Sequence, residues 1–304
     1  MNVKVLKANL ILLTAALVWG STFVFQRSAM QNMDPVSFSG LRFALGALCL
    51  APIAYFRSKR PSLPLPGVPK WLPLLGMIVA GTVMCFGINF QQVGLVETTA
   101  GKAGFITGLY VIMVPILGLA FKQKPDLGLW LALPLAVTGM YLLSVTDSFN
   151  LAPGDGLVLI CAFMWAVHVL VVGYFSPRMD SFMLGFGQAF VCAVLSLIYA
   201  LCCETITWEG LWASRYALLY GGIGSVAVGF TLQIIGQKDS PAAHAAIILQ
   251  LEAVTAAVSG WLFLGESMTA RSFIGAGLML AGMLVAQLWV FVPKRKPQGN
   301  NGTP

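Results

Sequence analysis

Charge is what this chain has least of. Asp, Glu, Lys and Arg make up only 10% of its 304 residues, against about 25% in an ordinary soluble domain. So little charge excludes a freestanding water-soluble globule. Histidine is scarcer still, with His168 and His244 alone. The six cysteines, Cys49, Cys85, Cys161, Cys192, Cys202 and Cys203, lie in or at the ends of apolar runs and lack CxxC or Cys/His spacing. They read as small apolar packing residues, with no disulfide framework and no metal. A phosphate loop is missing too. Six residues rather than four separate Gly94 from Gly101, and Ala103 stands where Ser or Thr is required after Lys102. No nucleotide motor and no cofactor are expected, so any pumping must draw on gradients or exchange.

Apolar residues dominate instead, at 58%, with a mean hydropathy of +0.83. The formal net charge of +7 forms no stripe suited to nucleic acid. Basic residues collect in the breaks between apolar runs, where they report topology. Ten runs approach or exceed the roughly 20 residues that cross a 30 Å hydrocarbon core: 8–26, 35–56, 71–93, 98–121, 127–146, 154–175, 181–203, 214–236, 241–264 and 270–292. Turn residues divide them, among them Asp34-Pro35, the Pro-rich 57–69 segment, Ser176-Pro177 and Ser240-Pro241. Lys4 and Lys7 ahead of the first run imitate a signal peptide. That run is too long for one, however, and Trp19-Gly20-Ser21 is a poor cleavage site, so it reads as an uncleaved span. Thirteen basic residues flank one side of the spans and three the other, which predicts cytoplasmic termini in a plasma (inner) membrane.

Two spans share a plan. In Thr98–Phe121, Lys102 stands near the start and Tyr110 in the middle; in Ser240–Leu264, His244 and Glu252 fall at the same places. Other matches run along the halves, with Trp19 against Trp165, Asp34 against Asp180, Arg42 against Gln188, Gln91 against Gln233, and Gly139-Met140 against Gly282-Met283. Five spans per half is odd, so a second copy must enter the membrane from the opposite side. The expectation is an all-α polytopic membrane protein of two inverted five-helix repeats, residues 1–147 and 148–293. A basic, disordered cytoplasmic tail over 294–304 follows. Inverted repeats of this kind carry alternating-access transport around a mid-membrane site.

The residues also resemble a known family. Leu249–Leu280, with Leu-x-x-Glu at 249–252, Leu-Gly-Glu at 264–266 and Gly-x-x-Leu at 277–280, is similar to the end of an EamA domain. Leu41-Arg42-Phe43 and Trp19-Gly20-Ser21 resemble its start. Ala253 departs from the pattern, which has proline there. The resemblance implies the drug/metabolite transporter superfamily, with ten helices, a pseudo-two-fold fold and secondary transport, often export, of amino acids or related metabolites.

Candidate site residues follow from depth and chemistry. Glu252 lies eleven residues past Pro241, about 16 Å along a helix and so near mid-membrane. A carboxyl there suits proton coupling or an ammonium group; the plainer reading is a structural acid on a helix backbone. Arg42 suits a substrate carboxylate or phosphate, unless it pairs with Glu97 or Asp34 or snorkels. Lys102, near a span end, reads most simply as snorkelling, and His244 as hydrogen-bonding a neighbour. Trp19 with Thr22, and Trp165 with His168, share the same spacing and are expected on a cavity wall with Tyr110. Asn89, Gln92, Gln188 and Gln233 line the path or bond helix to helix. The expected partners are a small amphipathic solute, protons or a counter-substrate, and membrane lipids; a monomer suffices. Competing readings are an intramembrane hydrolase built on Ser225 and His244, and a receptor or scaffold without transport.

Overall fold

The structure is a computed structural model and describes residues 3–59, 68–98, 100–145, 153–265 and 268–289. Arg60, the boundary predicted at 147/148, Glu266 and the tail from 294 lie outside the described residues. Those described form helices and no strand. The first three spans are α1 (Val3–Ala29), α2 (Pro35–Ser58) and α3 (Leu72–Glu97). A fourth is broken into α4 (Ala100–Gly108) and α5 (Tyr110–Ala120), and α6 (Leu127–Ser144) closes the first half. In the second half, α7 (Pro153–Phe175) and α8 (Ser181–Cys203) are followed by the short α9 (Trp208–Ala213). The eighth span joins α10 (Arg215–Leu219), a π-helical segment over Tyr220–Phe230 and α11 (Thr231–Gln237). The ninth is broken into α12 (Ala242–Leu249) and α13 (Glu252–Leu264), and α14 (Ala270–Trp289) is the tenth. All ten are long and apolar enough to cross a membrane. The sequence reading did not foresee α9, whose exposed Trp208 and Trp212 suit a membrane–water interface.

The halves are inverted copies. α2 packs along α8, and α6 along α14, each pairing a span with its own counterpart. α3 against α7 is repeated by the eighth span against α1, and α1 against α13 by α7 against α4. Local contacts obey the same symmetry. A Cβ on Gly139 would meet the Gly275 carbonyl at 2.5 Å, and one on Gly282 would meet that of Ala132 at 3.0 Å. Shifting the first contact by the 143-residue offset between Gly139 and Gly282 turns it into the second. Helix ends are shared across the repeats as well. Pro35 opens α2, and its orphan amides Val36 N and Ser37 N donate to the Glu204 carboxylate at 3.1 and 2.6 Å. Asp34 accepts from Thr205 N at 3.1 Å in return. At the terminal face, the Asn9 amide donates to Gln287 at 2.5 Å, so α1 begins where α14 ends.

Both broken spans are interrupted at mid-depth. Leu109 N bonds to Ile106 O and Ile112 N to Leu109 O, tight three-residue steps between α4 and α5. Leu251 N to Ile248 O and Ala253 N to Gln250 O do the same between α12 and α13. Neither break needs a proline: Pro115 lies inside α5, and the second break is followed by Glu252 and Ala253. Towards the face carrying the termini the two spans meet, α5 against α12, and every residue of α12 is buried. Their other halves part, α4 towards α7 and α6, α13 towards α1 and α6.

The Gly139–Gly275 contact is a close backbone approach between α6 and α14. Gly139→Leu should therefore overpack the seam and destabilise the fold by about 1–3 kcal/mol. A lowered melting temperature and an aggregated fraction in fluorescence-detected size exclusion would show it.

Candidate functional site

Between the halves lies a cavity at mid-depth, lined by side chains of both. Its centre is a ladder of rings. Phe230 tilts against Trp19 at 4.7 Å between centroids and stacks with Trp165 at 6.0 Å and 14°. Offset aromatic contacts of this kind stabilise beyond the area they bury. Trp19 is held by its indole N–H, which donates to Ser225 O at 3.2 Å. That carbonyl belongs to the π-helical segment, a wide-turn conformation that is rare and concentrated at functional sites. Gly229, in the same segment, gives Trp19 its place, because a Cβ there would collide with the indole nitrogen.

Two ionisable groups face this aromatic surface. Arg42 is 1% exposed, with its guanidinium 5.2 Å from the Phe38 ring and 5.5 Å from Phe43. Its Nε and Nη2 have no hydrogen-bond partner, and neither ion pair expected for it forms among the described residues. Snorkelling does not describe it either. A buried cation left uncompensated is costly, and an anionic ligand would relieve the cost. Glu252 opens α13. A carboxylate in a helix's first turn is favoured by the dipole and the free amides there. It keeps part of its surface open to the cavity and has no hydrogen-bond or ion-pair partner among the described residues. Tyr110, at the matching break, lies within its electrostatic reach and donates to Ala246 O at 3.4 Å.

Of the candidates read from sequence, the cavity collects Trp19, Arg42, Tyr110, Trp165, Gln233 and Glu252. The others whose side chains are described stand elsewhere. Thr22 turns back to Val18 O at 2.7 Å. His168 is buried behind Trp165 and meets Gln188 Oε1 at 3.1 Å. Gln92 donates to Gln26 Oε1 at 3.1 Å, and Asn89 to Ser196 Oγ at 2.7 Å. His244 sits at the terminal face, 3.4 Å from Asp126 Oδ2 on the first half, and no hydrogen bond joins it to Ser225 among the described residues. Lys102 belongs to α4, and its side chain lies outside the described residues.

Phe23, Gln26, Gln91 and Phe230 also line the cavity and were missed. Phe23 and Gln26 follow Trp19 by four and seven residues, one helix face. That spacing was available in the sequence; choosing Thr22, three residues on, selected the wrong edge of the face.

Fold and cavity agree with what the chain is similar to. The family model described as the EamA-like transporter family matches residues 6–145 and again 152–287. The chain belongs to this family. Its EamA repeats place it in the drug/metabolite transporter superfamily. A transporter of Archaeoglobus fulgidus, uncharacterized, is 33% identical over 95% of this chain and 88% of its own length. The threonine/homoserine exporter RhtA of Escherichia coli K12 is 26% identical over 83% of this chain and 81% of its own. A solved crystal structure superposes with a TM-score of 0.78 at 21% identity, covering 93% of this chain and 99% of the other, which shows the shared fold.

The Gly229 contact offers a test of the cavity. Gly229→Leu should push the Trp19 ring off the Ser225 carbonyl while sparing the lipid-facing surface. The expected result is a shifted tryptophan emission maximum and at least a tenfold loss of solute flux in protein that still elutes as one peak.

Proposed function

We propose that the chain is a secondary transporter, acting as an exporter, for small amphipathic solutes that carry an acid and an amine, amino acids and their relatives included. One observation carries this reading: Arg42 and Glu252 both face one mid-membrane cavity, and neither has a partner charge among the described residues. Arg42 would take the carboxylate with a two-pronged hydrogen bond. Glu252 would take the ammonium group or exchange it for a proton, which couples flux to a gradient. Trp19, Trp165 and Phe230 would hold the apolar part, as aromatic linings do in small-molecule sites.

Alternating access follows from the inverted repeats. The two units would span residues 1–147 and 148–293, with both termini in the cytoplasm of a plasma-membrane protein. In this conformation α5 and α12 meet on the terminal face, the cytoplasmic one in this reading, and the His244–Asp126 pair adds to that seal. The cavity lining reaches Phe23 and Gln26 towards the opposite face, so the state drawn is closed inside. Exchange of the two repeats' conformations would open it. Similarity to a protein named as a threonine/homoserine exporter supports the direction and the solute class. A hydrolase would need Ser225 and His244 within hydrogen-bond reach, and His244 is engaged with Asp126 instead.

Proteoliposomes assayed against a panel of amino acids, with and without a pH gradient, test the proposal. Wild-type flux should respond to the gradient. Arg42→Gln should cut uptake of acid-bearing solutes at least tenfold, with Arg42→Lys recovering part of it. Glu252→Gln should abolish the response to the gradient; unchanged rate and unchanged pH dependence in that variant would remove Glu252 from the mechanism.

A further inference from the structure

One layer behind the aromatic wall, α3 and α8 run side by side in the same direction, and their register is legible residue by residue. Gly187 receives Met77, and a Cβ on Gly81 would meet Gln188 O at 2.8 Å and Val191 Cβ at 2.6 Å. Asn89 donates to Ser196 Oγ at 2.7 Å. Along α3 the first step to the second is about one turn, and the second to the third about two. Between the second and third steps stand Cys85 on α3 and Cys192 on α8. Cys85 Sγ lies 3.5 Å from Ser196 Oγ and accepts from Asn89 Nδ2 at 3.3 Å. The two thiols lie within mutual reach and pack in one buried cluster with Ile88 and Phe230 of the cavity lining. Cys192 is also in electrostatic contact with Arg42. The partners of the pair come from different repeats, and the glycines at 81 and 187 bring the backbones close enough for the side chains to meet.

We propose that Cys85 and Cys192 form a redox site, a dithiol that closes to a disulfide and staples α3 to α8. A small membrane-permeant two-electron oxidant is the co-reactant. With an azo compound such as diamide, each S–H bond breaks, the two sulfurs join, and the two electrons and two protons pass to the N=N bond, which becomes a hydrazine. The new bond fixes the register of one repeat on the other beside Arg42, so it arrests any rocking of the halves and with it the cavity's exchange between faces. The bond itself depends on no assumption about cargo; the arrest of flux rests on the transport reading.

The test uses the full chain in proteoliposomes with Cys49, Cys161, Cys202 and Cys203 replaced by alanine. Diamide should convert both remaining thiols into a peptide pair joined at Cys85 and Cys192, found by mass spectrometry after alkylation of the unfolded protein. Melting temperature should rise, flux should fall at least tenfold, and dithiothreitol should reverse all three. Cys85→Ala in the same background should leave melting and flux indifferent to the oxidant. Both thiols still alkylated after diamide would overturn the site. A complete disulfide with unchanged flux would overturn the arrest, and a complete disulfide in a protein with no flux before oxidation would count against the transport reading alone.

Discussion

Hydrocarbon offers no water to an unpaired peptide group, so a helix can be interrupted at mid-membrane only where other protein atoms surround the gap. The rest of this structure depends on that constraint, because both of its unusual spans are interrupted there. The breaks before Tyr110 and before Glu252 are closed by tight local bonds. The carbonyl of Ala246, beside the second, accepts from Gln250 N and from Tyr110 OH on the opposite repeat. The second break is thus covered by the helix that follows the first. The cavity lies beside this pair of gaps.

Close approach elsewhere makes that arrangement possible. Among lipid tails the hydrophobic effect does not press one helix on another, so association relies on contact and hydrogen bonding, for which small residues are suited. Gly139 and Gly275 bring α6 and α14 to backbone contact, Gly81 does so for α3 and α8, where Gly187 receives Met77, and Gly46 seats Val226 of the π-helical segment against α2. These seams hold the outer helices firmly. The rings come from α1, α5, α7 and the π-helical segment, and the two ionisable groups from α2 and α13.

The cavity combines an aromatic surface with two ionisable side chains that have no opposite charge among the described residues. In water such groups would be unremarked. In a bilayer each uncompensated charge costs several kcal/mol, a cost retained only where something else supplies the partner. The same reasoning explains why the remaining buried amides matter less. Gln92 with Gln26, Gln91 with Thr107 and Gln188 with His168 each form one bond, and those bonds tie helices together away from, or at the rim of, the central site.

Much was legible in the sequence, since a membrane imposes one-dimensional rules. Span length follows from bilayer thickness, the odd repeat follows from counting spans, and Glu252 and Tyr110 fall at mid-depth by arithmetic on a 1.5 Å rise. Those rules hold whatever the helices do next to each other. Rotation about each helix axis is another matter. It places Phe23 and Gln26 rather than Thr22 on the cavity, turns His168 behind Trp165, and carries His244 to Asp126 instead of the centre. Beyond the face shared by Trp19, Phe23 and Gln26, uniformly apolar spans hold no record of that rotation, because lipid and protein neighbours demand similar side chains. The π-helical turn around Ser225 and the proline-free break at Gln250–Leu251 are likewise visible only in the folded bundle. The chain alone determined how many times it crosses and how deep each charge lies; only the folded bundle decided which of those charges meet.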